Sequence, residues 1–116
     1  MEEKNETRIE RQGDISILHI QGDITAQSET RINDAYKELN DQGPTQKILI
    51  QFEQDAYINS GGIAVLIQIL AKTQKNNQQI GITGLSEHFK KIFRMVGITK
   101  FANIYADLAE ALQSFS

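Results

Sequence analysis

Ile48, Leu49 and Ile50 stand side by side in the stretch KILIQFEQ. Successive side chains of a strand point to opposite faces, so three apolar neighbours are stable only where both faces are covered. A strand buried in this way lies inside a layered α/β domain, with helices packed over the sheet. The rest of the chain must supply that cover.

It does so by alternating periods. TRIERQGDISILHIQG predicts two strands meeting at Gln12-Gly13-Asp14, where Gly-Asp is turn chemistry and Ile15, Ile17 and Ile20 are apolar. After Gly22-Asp23, Ile32, Ala35, Tyr36 and Leu39 fall on one face of a helix from about Ala26 to Asn40, ended by Asp41-Gln42-Gly43-Pro44. The segment Ser60 to Lys75 is apolar nearly all round its first turns, which predicts a buried helix opened by Ser60 as N-cap.

QIGITG predicts another strand, and Ser86 caps a third helix with Phe89, Ile92, Phe93 and Val96 on one face and Gly97 at its end. Met95 is assigned to the core with the phenylalanines. KFANIY gives a last strand, and Asp107 caps a final helix carrying Leu108, Ala111 and Leu112. The order ββαβαβαβα predicts one α/β domain. Its sheet is mostly parallel, four- to five-stranded, opens on an N-terminal antiparallel hairpin and is flanked by about four helices.

At 116 residues, 40% of them hydrophobic, the chain is long enough for one core. It has no cysteine, which removes disulfides, thiolate catalysis and cysteine-ligated zinc. A net charge of −3 with both signs interspersed gives no footprint for nucleic acid or an anionic membrane. MEEKNETRIE has no apolar core and is not a signal peptide, and the longest apolar run is far short of the ~20 residues that span a bilayer. The expectation is a cytoplasmic protein without membrane insertion.

Little in the chain points to catalysis. His19 and His88 have no histidine, cysteine or carboxylate at ligand spacing, so no metal site is expected, and no serine stands in a nucleophilic triad. Gly61-Gly62 lies at a strand-to-helix junction, where backbone amides can cradle phosphate. A P-loop needs Lys-Ser/Thr after its second glycine, however, and Ile63-Ala64 follows here. Tight turning and close packing of helix on sheet account for the glycines, and a docking role is compatible with both. Ser60 stands at the carboxyl end of a strand, where α/β proteins place binding sites. A phosphate there would add roughly 1.5 to 2 negative charges at a helix N-terminus that tolerates them.

From about Ile9 nearly to its end, the chain resembles the STAS domain family of bacterial anti-sigma factor antagonists and related domains of anion transporters. The resemblance rests on the strand ending Gly22-Asp23-Ile24, on Tyr57-Ile58-Asn59-Ser60-Gly61-Gly62-Ile63, and on Met95-Val96-Gly97-Ile98 before Phe101. It implies a flexible N-terminus over residues 1–7 and a STAS domain over 8–116. It also implies that Ser60 matches the family's phosphorylated serine, within an Asp-Ser-Ser/Thr-Gly turn.

Three positions depart from that pattern: Asn59 and Thr25 stand in place of aspartates, and Gly61 in place of the second hydroxyl residue. The resemblance implies a phosphorylation-controlled partner switch, not an enzyme, that binds an anti-sigma factor serine kinase and is reset by a PP2C-like phosphatase, with no cofactor. Its binding face would include Thr25, Ala26, Asn59, Ser60, Gly61 and Gly62. The alternative is a free-standing STAS subunit regulating a membrane transport ATPase by constant contact, without phosphorylation.

Overall fold

A computed structural model describes residues 7–42, 45–53 and 56–115. Strand β1 (Thr7–Gln12) turns through Gly13-Asp14 into β2 (Ile15–Ile20). A 3-10 turn, Ala26–Ser28, leads into α1 (Glu29–Asp41). β3 (Lys47–Phe52), α2 (Ser60–Lys75), β4 (Gln79–Thr83) and α3 (Glu87–Met95) follow. A second 3-10 turn, Ile98–Lys100, precedes β5 (Asn103–Ile104) and α4 (Leu108–Phe115). The alternating order expected from the sequence is the one observed.

The sheet runs β1-β2-β3-β4-β5, with β1 antiparallel to β2 and each later neighbour parallel. The apolar run in β3 finds cover on both sides. Ile48 and Ile50 face the larger core with Leu18, Ile20, Ile80 and Ile82, beneath Ile32, Leu39, Leu66, Ile69 and Phe93. Leu49 faces the other way, with Ile15 and Ile17 under Ala111 of α4. Three helices therefore cover one side of the sheet and one helix part of the other. Phe52 and Phe93 meet edge to face, with ring centroids 6.3 Å apart, closing the larger core near the carboxyl ends of the strands.

At the opposite end, amide side chains bind the helices together. Tyr36 Oη donates to Gln78 Oε1 at 2.6 Å and accepts from Asn76 Nδ2 at 3.0 Å. Gln78 Nε2 donates to Asn40 Oδ1 and to the Thr45 carbonyl, each at 2.8 Å.

Two expectations about apolar residues fail. Met95 is 83% exposed and Val96 46%, because α3 ends at Met95 and Gly97 (φ +85°) turns the chain away. Val96, which continues the apolar period in sequence, stands just past the last helical residue, and Met95 points away from the face that buries Phe93. The first helical segment does start at Ala26, but as a 3-10 turn that becomes α-helical only at Glu29. Of the expected flexible N-terminus, residues 1–6 lie outside the described residues, and Thr7 opens β1. Gly43 and Pro44, expected to stop the first helix, lie outside them as well.

His19 is half-buried and approaches Glu10 across the hairpin, Nε2 to Oε1 at 2.8 Å. Gln12 and His19 hydrogen-bond the Glu10 carboxylate and hold its pKa below the usual range. Within the described residues no helix is long and apolar enough to cross a membrane.

Candidate functional site

Beyond β2 and β3 the two chains stay side by side for a few residues more. Ile24 and Ile58 form an isolated parallel bridge, in which Ile24 N–H donates to the Tyr57 carbonyl at 2.8 Å and Asn59 N–H to the Ile24 carbonyl at 3.1 Å. Both isoleucines are buried, and they anchor the loops that carry the candidate residues. Asp23 Oδ1 accepts from Tyr57 N–H at 3.0 Å, a further tie between the loops.

The bridge fixes where α2 begins. Asn59 is held extended (φ −91°, ψ −179°), and its Oδ1 accepts from Gly62 N–H at 2.8 Å. Asn59 is therefore the N-cap and Ser60 the first helical residue, which corrects the expectation that Ser60 caps. The Asn59 carbonyl accepts the first helical bond, from Ile63 N–H at 2.9 Å. Ser60 is exposed, and its hydroxyl makes no hydrogen bond to any described residue. The amides of Ser60 and Gly61 belong to the first turn, where no intrahelical carbonyl reaches them. They supply donors and positive dipole beside the hydroxyl, and that turn of α2 contains no acidic residue.

The two glycines are explained by close approach. A Cβ on Gly62 would lie 2.2 Å from the Ile24 carbonyl oxygen, and one on Gly61 would lie 2.9 Å from Ala26 Cβ. The helix mouth is pressed against the loop after β2, which brings Thr25 and Ala26 beside Ser60. Thr25 caps the 3-10 turn: its Oγ1 accepts from Gln27 N–H at 3.1 Å, and its own N–H donates to Ser28 Oγ at 3.0 Å. The structure brings the six expected residues together, five of them reaching the surface. Ala26 and Ser60 are exposed on it, Thr25, Asn59 and Gly61 half-buried, and Gly62 buried.

The sequence reading missed the aromatic border of this surface. Tyr57 is 57% exposed and packs its ring against Phe89 at 6.1 Å, and His88 meets Phe89 at 5.1 Å. A large exposed aromatic on an irregular segment is the signal that would have found it. Glu87, in the same first turn of α3, has its pKa lowered by a hydrogen bond from Lys90. On the other side an open groove of about 700 Å³ is lined by Asp23, Thr25, Gln27, Ser28 and Arg31, among others.

The division of roles between neighbours has a measurable consequence. Asn59→Ala removes the cap and is expected to cost about 1 kcal/mol, whereas Ser60→Ala should stay within about 0.5 kcal/mol of the parent in urea unfolding.

The family model of the STAS domain matches residues 6–111. The chain superimposes on a Thermotoga maritima protein assigned as an anti-sigma factor antagonist, with TM-score 0.79, 15% identity, and coverage of 93% of this chain and 92% of that one. An anti-sigma factor antagonist of Mycobacterium paratuberculosis gives TM-score 0.75 at 18% identity, over 94% of this chain and 92% of that one. The Bacillus cell fate determinant SpoIIAA in its phosphorylated form gives 0.66 at 13% identity, over 96% of this chain and 100% of that one. At these identities the solved structures establish a shared fold.

Proposed function

The chain belongs to the STAS domain family, and from that premise we propose that it is a non-enzymatic protein-binding switch of the anti-sigma factor antagonist kind. In this reading the surface around Ser60 docks a serine-kinase anti-sigma factor. Phosphorylation of Ser60 releases that partner, and a PP2C-like phosphatase restores binding. One observation carries the proposal: Ser60 is exposed at the first position of α2 while Asn59 does the capping. A kinase can reach the hydroxyl, and the helix does not depend on it.

The fold relatives support the reading, since an anti-sigma factor antagonist is known both phosphorylated and unphosphorylated. Two would-be carboxylates are absent, Asn59 and Thr25 standing in their places. The amide of Asn59 accepts from Gly62 as a carboxylate would, and Thr25 caps its own turn, so the local geometry holds without them. Fewer negative charges also make a phosphate at this position less costly.

The test is to isolate the protein from its native cells with phosphatase inhibitors, then measure intact mass and map the peptides. We expect a fraction heavier by one phosphate, placed on Ser60 and removed by a PP2C-type phosphatase. A homogeneous unmodified protein that still binds its partner would overturn the switch and favour constant contact of the transport-subunit kind.

A further inference from the structure

β1 is the outer strand of the sheet, and no described segment pairs with its free edge. It is six residues long, as is β2, so its edge is not shortened. Gly13 (φ +62°) opens a two-residue turn, and Gln12 pairs with Ile15 across it. In such a hairpin the residues flanking the turn form a hydrogen-bonded pair, and these pairs alternate along the ladder. Gln12, Glu10 and Arg8 therefore spend their backbone groups on β2. Those of Thr7, Ile9 and Arg11 point outward.

Native edges are blunted by charge, and β1 carries Arg8, Glu10 and Arg11. The guanidinium of Arg11 folds back onto the end of α1, donating to the Leu39 carbonyl at 3.1 Å and to Thr45 Oγ1 at 3.3 Å. Arg8 and Glu10 share the opposite face of the strand, with side chains 67% and 36% exposed and an Nη1–Oε1 separation of 3.8 Å. Between them stands Ile9, half-buried against the larger core. Read backwards, this edge complements itself.

We propose that β1 pairs antiparallel with β1 of a second copy about a two-fold axis through Ile9, joining the two sheets into one. A two-fold normal to the sheet keeps every side chain on its own face, so the axis must pass through a residue. Through Arg8, Glu10 or Arg11 it sets like charges opposite one another, which destabilises a pair of strands. Through Ile9 it sets Arg8 opposite Glu10 of the second copy, and Glu10 opposite its Arg8. The same register brings the two Ile9 side chains together and aligns the outward groups of Thr7, Ile9 and Arg11 for about six backbone hydrogen bonds. One strand per copy is a small interface, so the dimer is weak, with a dissociation constant on the order of 100 μM. The two-fold places the two Ser60 surfaces at opposite ends of the joined sheet, so the dimer does not depend on the switch.

Sedimentation of the full chain from about 10 μM to 2 mM at low salt tests the proposal, with a reversible monomer–dimer equilibrium as the expected result. Ile9→Pro removes an outward N–H and spares the β1–β2 ladder, so it should leave a folded monomer. Should that variant fail to fold, Arg8→Glu should weaken the dimer at least tenfold, and Arg8→Glu/Glu10→Arg should recover to within about threefold of the parent. Ser60→Glu should leave the dimer unchanged. A monomer at 2 mM overturns the proposal, and so does a dimer indifferent to both Arg8→Glu and the charge swap.

Discussion

Replacing Gly62 by alanine is expected to destabilise the domain by about 3 kcal/mol, a fall of more than 10 °C in melting temperature at this chain length. The added Cβ would stand 2.2 Å from the Ile24 carbonyl oxygen. That oxygen cannot swing aside like the tip of a side chain, because it accepts from Asn59 N–H in the bridge that sets the start of α2. Alanine's better helix propensity returns at most about 1 kcal/mol. Gly61→Ala is the control. Its Cβ would stand 2.9 Å from Ala26 Cβ and 3.0 Å from the Ala26 backbone nitrogen, a milder overlap that still requires the loop after β2 to move, so the expected cost is smaller, about 2 kcal/mol. Chemical denaturation of the two variants side by side measures the difference. Stability like the parent's in both variants would mean that the helix mouth is not pressed against the loop after β2.

The second large effect is on binding. Ser60→Glu places a carboxylate where the proposed partner docks, and burying an unpaired charge in an interface costs several kcal/mol. We expect the affinity for the cognate anti-sigma factor to fall about 100-fold in calorimetry, with the melting temperature within about 3 °C of the parent. The stability half of this expectation follows from the capping geometry. Gly62 N–H is satisfied by Asn59, and a negative charge at the first position of α2 is favoured by the helix dipole. Ser60→Ala should bind like the parent and be refractory to the kinase. A glutamate variant that binds as tightly as the parent would place the docking surface elsewhere.

Much of the architecture was legible because it is written in local periods. The apolar run in β3 required two covered faces, and the structure supplies α1 to α3 on one side and α4 on the other. The caps of α3 and α4 were legible for the same reason: Ser86 Oγ accepts from Phe89 N–H and Asp107 Oδ1 from Glu110 N–H, each within one turn. What misled was set by distant contacts. Asn59 and Ser60 are both competent caps, and the choice between them is made by the bridge from Ile24 to Ile58, which keeps the chain extended through residue 59.

The aromatic border escaped for a similar reason, since Tyr57 reaches Phe89 across thirty-one residues of intervening sequence. The pairing of His19 with Glu10 lay closer to hand. A two-residue turn fixes the register of the hairpin, and that register sets Arg8 directly opposite His19 with Glu10 on the diagonal. Met95 and Val96 show the reverse error: Met95 lies on the outer face of α3, about 200° round the helix from buried Phe93, and Val96 extends the apolar period one residue beyond the end of that helix.

The stitching of the two loops governs how a visitor would meet this protein. With Ile24, Ile58 and Gly62 locked together, the face around residue 60 is assembled before anything arrives. Little conformational freedom is left to surrender at the moment of encounter, so association can proceed as the docking of one rigid body on another. A chemical mark on such a plate alters what it repels and attracts while its shape stays as it was.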